Sequence, residues 1–171
     1  ITALFTDLAG FTTISEKHGP EEVARVLQQH FTRASDIVKR RRGTLTQFIG
    51  DALMAIWGAP LDDAEHAAHA CLAAREMQAD MELLRRELRE QGLPEIRMRV
   101  GLHSCDAVVG NLGAADRFAY TAIGDGVNLA SRLEGVNKLF GTGILLSGET
   151  AGALPPGEPL RSVGRVIVKG K

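Results

Sequence analysis

The chain has 171 residues, 44% of them hydrophobic and 24% charged, with a net charge of −1. That size and composition fit one globular domain with a real core, and the near-neutral balance excludes a global field for nucleic acid or an anionic membrane. No apolar run approaches the roughly 18 residues of a membrane span.

In chain order, Ile1–Leu8 reads as a buried strand. Val23, Val26, Leu27, Phe31, Ala34, Ile37 and Val38 recur at helical spacing, so Glu21–Arg41 is expected to be a helix with one buried face. Gly43 is expected to be its left-handed C-cap, and the basic run Lys39–Arg42 to complement the helix dipole. Thr44–Ile49 and Ala52–Trp57 are β-like runs separated only by Gly50-Asp51, a hairpin with Asp51 in its turn. A long amphipathic helix is expected over Asp63–Gln91, stopped by Gly92 and Pro94. Ile96–Leu102 and Ala107–Val109 read as strands, and Asp116–Ala122 as an excursion from the body. Val127–Leu139 reads as a helix, and Gly143–Leu146 and Val163–Val168 as strands. The order βαββαβ with additions predicts an α+β fold: a ferredoxin-like antiparallel sheet with helices on one face, plus an arm. In that topology the first strand lies beside the central hairpin, which brings Asp7 to Asp51.

Cys71 falls on the apolar face of the long helix, as a buried thiol in a reducing compartment would, and a cytoplasmic location is expected. No signal peptide opens the chain, which begins inside a strand pattern. Residues 1–171 therefore read as a catalytic module whose regulatory domains lie outside them.

The chemistry is carried by Phe5-Thr6-Asp7-Leu8-Ala9-Gly10-Phe11-Thr12 and by Phe48-Ile49-Gly50-Asp51-Ala52-Leu53-Met54-Ala55. Two carboxylates on adjacent strand ends can hold two hard cations. The backbone N–H groups of a glycine-containing turn that leads into a helix can hold the phosphates accompanying them. This predicts chemistry on a nucleoside triphosphate. Asn128 and Arg132 lie at i, i+4 on one helix face. His66 and His69, at i, i+3, lack a third ligand of metal-site type, and His103 reads as a packed strand-end residue.

These stretches, together with Arg99-Val100-Gly101-Leu102-His103-Ser104, Tyr120–Glu134 and Val168-Lys169-Gly170-Lys171, resemble the class III nucleotidyl cyclase catalytic domain over essentially the whole chain. The resemblance implies attack of the ribose 3′-oxygen of ATP on its α-phosphorus, giving cyclic AMP and pyrophosphate. It implies that Asp7, Asp51 and the carbonyl of Leu8 bind two Mg²⁺ (or Mn²⁺) ions. The amides of Phe11 and Thr12, with Arg99, would hold the terminal phosphates, and Lys169 would reach the phosphates from the other side. Asn128 would orient the ribose and Arg132 would contact the α-phosphate. The family's sites form between two chains head to tail, so a homodimer would carry two.

Two positions depart from the adenine-selecting pattern of that family. Gln47 stands where its base-reading lysine would be, four residues before Asp51, and Thr121 stands for the usual aspartate. A glutamine amide can accept from adenine N6 and donate to N1; turned over, it can donate to guanine O6 and accept from N1–H. ATP is the expected substrate, with GTP as the alternative. A catalytically degenerate nucleotide-binding module is the non-enzymatic alternative, although neither a metal-binding aspartate nor the Asn128–Arg132 pair is lost.

Overall fold

The structure, a computed structural model, describes residues 1–114 and 116–168. Its elements are β1 (Thr2–Leu8), α1 (Phe11–Lys17), α2 (Pro20–Arg40), β2 (Thr44–Ile49), β3 (Ala52–Trp57), α3 (His66–Glu90), β4 (Met98–Ser104), β5 (Val108–Ala114), β6 (Arg117–Ile123), α4 (Asp125–Phe140), β7 (Ile144–Leu146) and α5 (Gly148–Gly152). One sheet has the order β2-β3-β1-β4-β7, antiparallel except for the β4–β7 pair. β5 and β6 form a separate two-stranded hairpin, the excursion expected near Asp116–Ala122. The architecture is mixed α+β, with helices packed on a sheet. Among the described residues, no helix is long and apolar enough to cross a membrane.

Helices cover both faces of the sheet, not one. Leu4 and Leu8 of β1 join a core with Val26, Ala34, Ile37 and Val38 of α2 and Ala70, Ala74, Met77, Met81 and Leu84 of α3. Ala3 and Phe5, of the opposite parity, pack with Val127 and Ala130 of α4. The physical reason is visible in β3, where every residue from Leu53 to Trp57 is buried. A strand that is apolar on both parities has to be covered on both sides.

The end of α2 also differs from expectation. Arg42, not Gly43, takes the left-handed conformation (φ 64°). The Gly43 N–H bonds the Val38 carbonyl at 2.8 Å and the Arg42 N–H bonds Lys39 at 3.0 Å, the paired bonds of a Schellman ending. Gly43 serves instead for close approach: a β-carbon there would lie 2.5 Å from the Trp57 ring. The Trp57 indole N–H in turn donates to the Arg41 carbonyl at 2.7 Å. Arg40 and Arg41 reach Glu76 of α3 at 2.5 and 2.6 Å, so the basic run ties α2 to α3 as well as completing a helix end.

α3 begins at His66, three residues later than expected, because Asp63 turns the chain in front of it: its Oδ1 accepts from Glu65 N–H at 3.1 Å and its Oδ2 meets His69 at 2.7 Å. His66 meets Thr2 instead. α1, at Phe11–Lys17, is the helix into which the Gly10 turn was expected to lead, although its range was not given by the sequence. Among the described residues, 163–168 form no ladder; Val163 and Val168 pack against Val136 and Leu145, so the apolar pattern marks docking rather than a strand there.

Gly101 sets the spacing of α4 on the sheet. A β-carbon there would fall 2.2 Å from both the Ala130 carbonyl oxygen and the Glu134 amide nitrogen, backbone atoms that cannot rotate away. Gly101→Ala should therefore cost at the upper end of overpacking, about 3 kcal/mol. At roughly 2–4 °C per kcal/mol for a chain of this size, calorimetry should show a clear fall in Tm. An unchanged Tm would mean that α4 does not sit where described.

His30 is 3% exposed between α2 and α3, and its Nε2 has no hydrogen-bond partner among the described residues. Burial pushes its pKa down from 6.5 to about 4. The unfolded chain therefore binds a proton below about pH 6.5 that the folded chain refuses until about pH 4. This contribution to stability is whole above pH 6.5 and falls by about 3 kcal/mol on the way to pH 4. In urea titrations the stability of wild type should fall relative to that of His30→Leu across that window as the pH is lowered; a difference that does not change with pH would refute the assignment.

Candidate active site

Asp7 lies near the end of β1 and Asp51 in the β2–β3 turn, 44 residues later. Two polar contacts join these segments: the Leu8 N–H donates to Asp51 Oδ2 at 3.3 Å, and the Leu53 N–H donates to Thr6 Oγ1 at 3.2 Å. Burial and the neighbouring charge of Asp7 raise the Asp51 pKa, against the lowering effect of backbone N–H groups. The expected pair of carboxylates is thus assembled. The Leu8 side chain is buried in the core, so any ligand role there falls to its backbone.

Arg99 sits directly opposite Asp7 in the β1–β4 register. Its Nη2 donates to Asp7 Oδ2 at 2.5 Å and its Nε to Glu134 Oε1 of α4 at 2.8 Å. Burial, partly offset by the hydrogen bond from Arg99, raises the Glu134 pKa, and the charges of Asp7 and Asp51 add to the rise. Glu134 escaped the sequence reading because its place depends on the docking of α4 over Gly101, which no local pattern announces. Among the described residues no group of three or more His, Cys, Asp or Glu side chains is arranged to hold a metal.

Phe11 and Thr12 open α1, preceded by Gly10, which offers the helix no capping side chain. The amides of that first turn are therefore left without a side-chain acceptor.

Gln47 and Thr121, 74 residues apart, converge on one atom. Gln47 Nε2 lies 3.8 Å and Thr121 Oγ1 4.0 Å from the sulfur of Met54. Met54 is buried, opposite Gln47 in the hairpin and opposite Phe5 in β1. It too went unremarked in the sequence, although a two-residue turn at Gly50-Asp51 already places it across from Gln47.

Asn128 and Arg132 lie on a different side of α4 from Ala130 and Glu134, whose backbone rests on β4. Asn128 is exposed. Arg132 is half-buried, and its Nη1 is buried with no hydrogen-bond partner among the described residues. No hydrogen bond or ion pair among the described residues joins either side chain to Asp7 or Asp51. The chain thus gathers a carboxylate–arginine group and a Gln47–Thr121 pair, and leaves Asn128 and Arg132 apart from the carboxylates. Lys169 lies outside the described residues.

Residues 1–171 match the family described as the adenylate and guanylate cyclase catalytic domain. Adenylate cyclase 1 of Rhizobium meliloti is 45% identical over 171 residues, which is all of this chain and 26% of that protein. The chain thus spans about a quarter of the length of that relative. The crystal structure of the adenylyl cyclase CyaB from P. aeruginosa superposes with a TM-score of 0.93 at 35% identity, covering 99% of this chain and 87% of that one. The crystal structure of the guanylyl cyclase Cya2 gives 0.89 at 34%, covering 99% and 85%. With its motifs, its fold and these likenesses in agreement, this chain belongs to the adenylate and guanylate cyclase catalytic-domain family.

Proposed function

We propose that this chain converts ATP to 3′,5′-cyclic AMP and pyrophosphate at a site shared by two copies. The observation that carries the reading is the split just described: Asp7 and Asp51 stand together, while Asn128 and Arg132 of the same chain do not meet them. In a head-to-tail homodimer the carboxylates of one copy face the Gln47, Thr121, Asn128 and Arg132 of the other. The βαββαβ body is then a ferredoxin-like core, and the β5–β6 hairpin, with Val108 63% and Phe118 64% exposed, is the dimerisation arm.

An all-oxygen donor set of two neighbouring carboxylates, one with its pKa raised by burial and by the charge of the other, suits hard divalent cations. Asp7, Asp51 and the Leu8 carbonyl would hold two Mg²⁺ or Mn²⁺. Bound there, the cations would make the ribose 3′-hydroxyl more acidic and offset the triphosphate charge. The amides of Phe11 and Thr12 with Arg99 hold the terminal phosphates, and Lys169 reaches them from the other side. Asn128 fixes the ribose, and Arg132 meets the charge that develops on the α-phosphoryl group. Regulation comes from domains outside residues 1–171.

The assignment to ATP leans on the adenylate cyclase of 45% identity. Gln47 and Thr121 make GTP the competing substrate, because both side chains donate as well as accept. Gln47→Lys removes the acceptor, so it should raise kcat/KM for ATP relative to GTP. An unchanged ratio would move base selection elsewhere.

Asp7→Ala and Asp51→Ala should each lower turnover about a thousandfold or more. More than a tenth of wild-type activity in either would end the two-metal reading. Arg132→Ala should cost about 10²–10³ in rate. Mixing Asp51→Ala with Arg132→Ala should recover roughly a quarter of wild-type activity, since half of the dimers formed at random then hold one intact site. Mixing Asp7→Ala with Asp51→Ala should recover none. Failure of the first mixture would place each site within one chain; recovery in the second would mean that Asp7 and Asp51 do not serve a site from the same chain; either result would overturn the arrangement proposed.

A further inference from the structure

Arg99 is bound in a way the substrate contacts assigned to it do not require. Its guanidinium bridges two acids on two elements, Asp7 of β1 through Nη2 at 2.5 Å and Glu134 of α4 through Nε at 2.8 Å. Its side chain is 20% exposed and that of Glu134 13%. Gly101, two residues along β4 on the same parity as Arg99, lets the backbone of Glu134 settle against the strand. Glu134 is therefore fixed where it can grip the guanidinium. One positive group is shared by two carboxylates, and Asp51 stands beside Asp7, so the cluster carries an excess of negative charge.

We propose that Glu134 is a positioning residue for this site: it anchors Arg99, and through Arg99 it sets how readily Asp7 gives up an internal cation for a metal ion. The inference rests on the reading of Asp7 as a metal ligand. While the site is empty, the guanidinium supplies the positive charge that Asp7 lacks. When a divalent cation arrives, Asp7 must release Nη2, and Glu134 retains the arginine through Nε. The freed edge of the guanidinium then points to where the terminal phosphates are held. Without Glu134 the whole guanidinium falls to Asp7 and competes harder with the metal. Without Arg99 there is no internal competitor.

The test is Mn²⁺ affinity of the purified protein without nucleotide, read by electron paramagnetic resonance of the free ion. Arg99→Gln should tighten Mn²⁺ about fivefold or more, and Glu134→Gln should weaken it about as much, as expected for one partly screened charge at contact distance. In the Arg99→Gln background, Glu134→Gln should change the affinity less than about threefold, because its route is gone. Glu134→Asp keeps the charge but shortens the arm, and should weaken Mn²⁺ as Gln does. An equal effect of Glu134→Gln in both backgrounds would make Glu134 a direct participant and overturn the proposal. So would an unchanged affinity in Arg99→Gln, a variant that tests the competition even if those at Glu134 fail to fold. Wild-type Mn²⁺ binding that survives both Asp7→Ala and Asp51→Ala would instead remove the metal reading beneath it.

Discussion

The contact of α4 with the sheet at Gly101 is the constraint on which the rest of the site depends. A strand that buries every side chain from Leu53 to Trp57 demands a second covering layer. The layer that comes is α4, seated against Gly101 at backbone contact. That seating places Glu134 against Arg99 and turns Asn128 and Arg132 away from the strand. Asn137 completes the seat from within: its Nδ2 donates to the Val100 carbonyl at 2.9 Å, a bond from helix to strand in a fully buried place. The same amide donates to the Leu133 and Glu134 carbonyls of its own helix, at 3.2 and 2.9 Å, so it binds the helix turn and the strand together.

The acid side of the site is held by a different device. Thr6 spends its hydroxyl on the Leu53 amide, and Asp51 spends an oxygen on the Leu8 amide. The hairpin turn and the end of β1 are thus pinned by side chains where the ladder runs out. The two acids are brought together by the backbone of their own segments, so their mutual repulsion is paid for by folding rather than by a ligand.

Much of this was legible in the residues. The hairpin's strand bounds were, and so was its pairing from Gln47–Met54 to the Gly50-Asp51 turn, but the register shift between Leu45 and Gln47 was not; the meeting of Asp7 and Asp51 followed from β1 lying beside that hairpin. The long helices followed from apolar spacing. Their caps did not, since whether Gly43 or Arg42 turns left-handed depends on the Trp57 ring arriving from another element. The covering of both faces was readable in Leu53–Trp57 but was outweighed by the strand–helix order. The grip of Glu134 on Arg99 could not be read at all, because it joins residues 35 apart through a docking angle that a missing β-carbon decides. Residues 163–168 show the opposite error, an apolar pattern that packs without pairing.

Trp57, the sole tryptophan, is wholly buried on the α2–α3 side of β3 and faces Thr2 at the far end of β1 from Asp7. Five residues of strand separate those ends, about 17 Å. Its indole is locked to the Arg41 carbonyl, so its emission reports the integrity of the helix layer. Asp7 shares the parity of Ala3 and Phe5 and so lies on the opposite face of the sheet, and a ligand held there would not touch that fluorophore. Under the proposed reading, Trp57 emission would then follow folding of the helix layer separately from occupancy of the site.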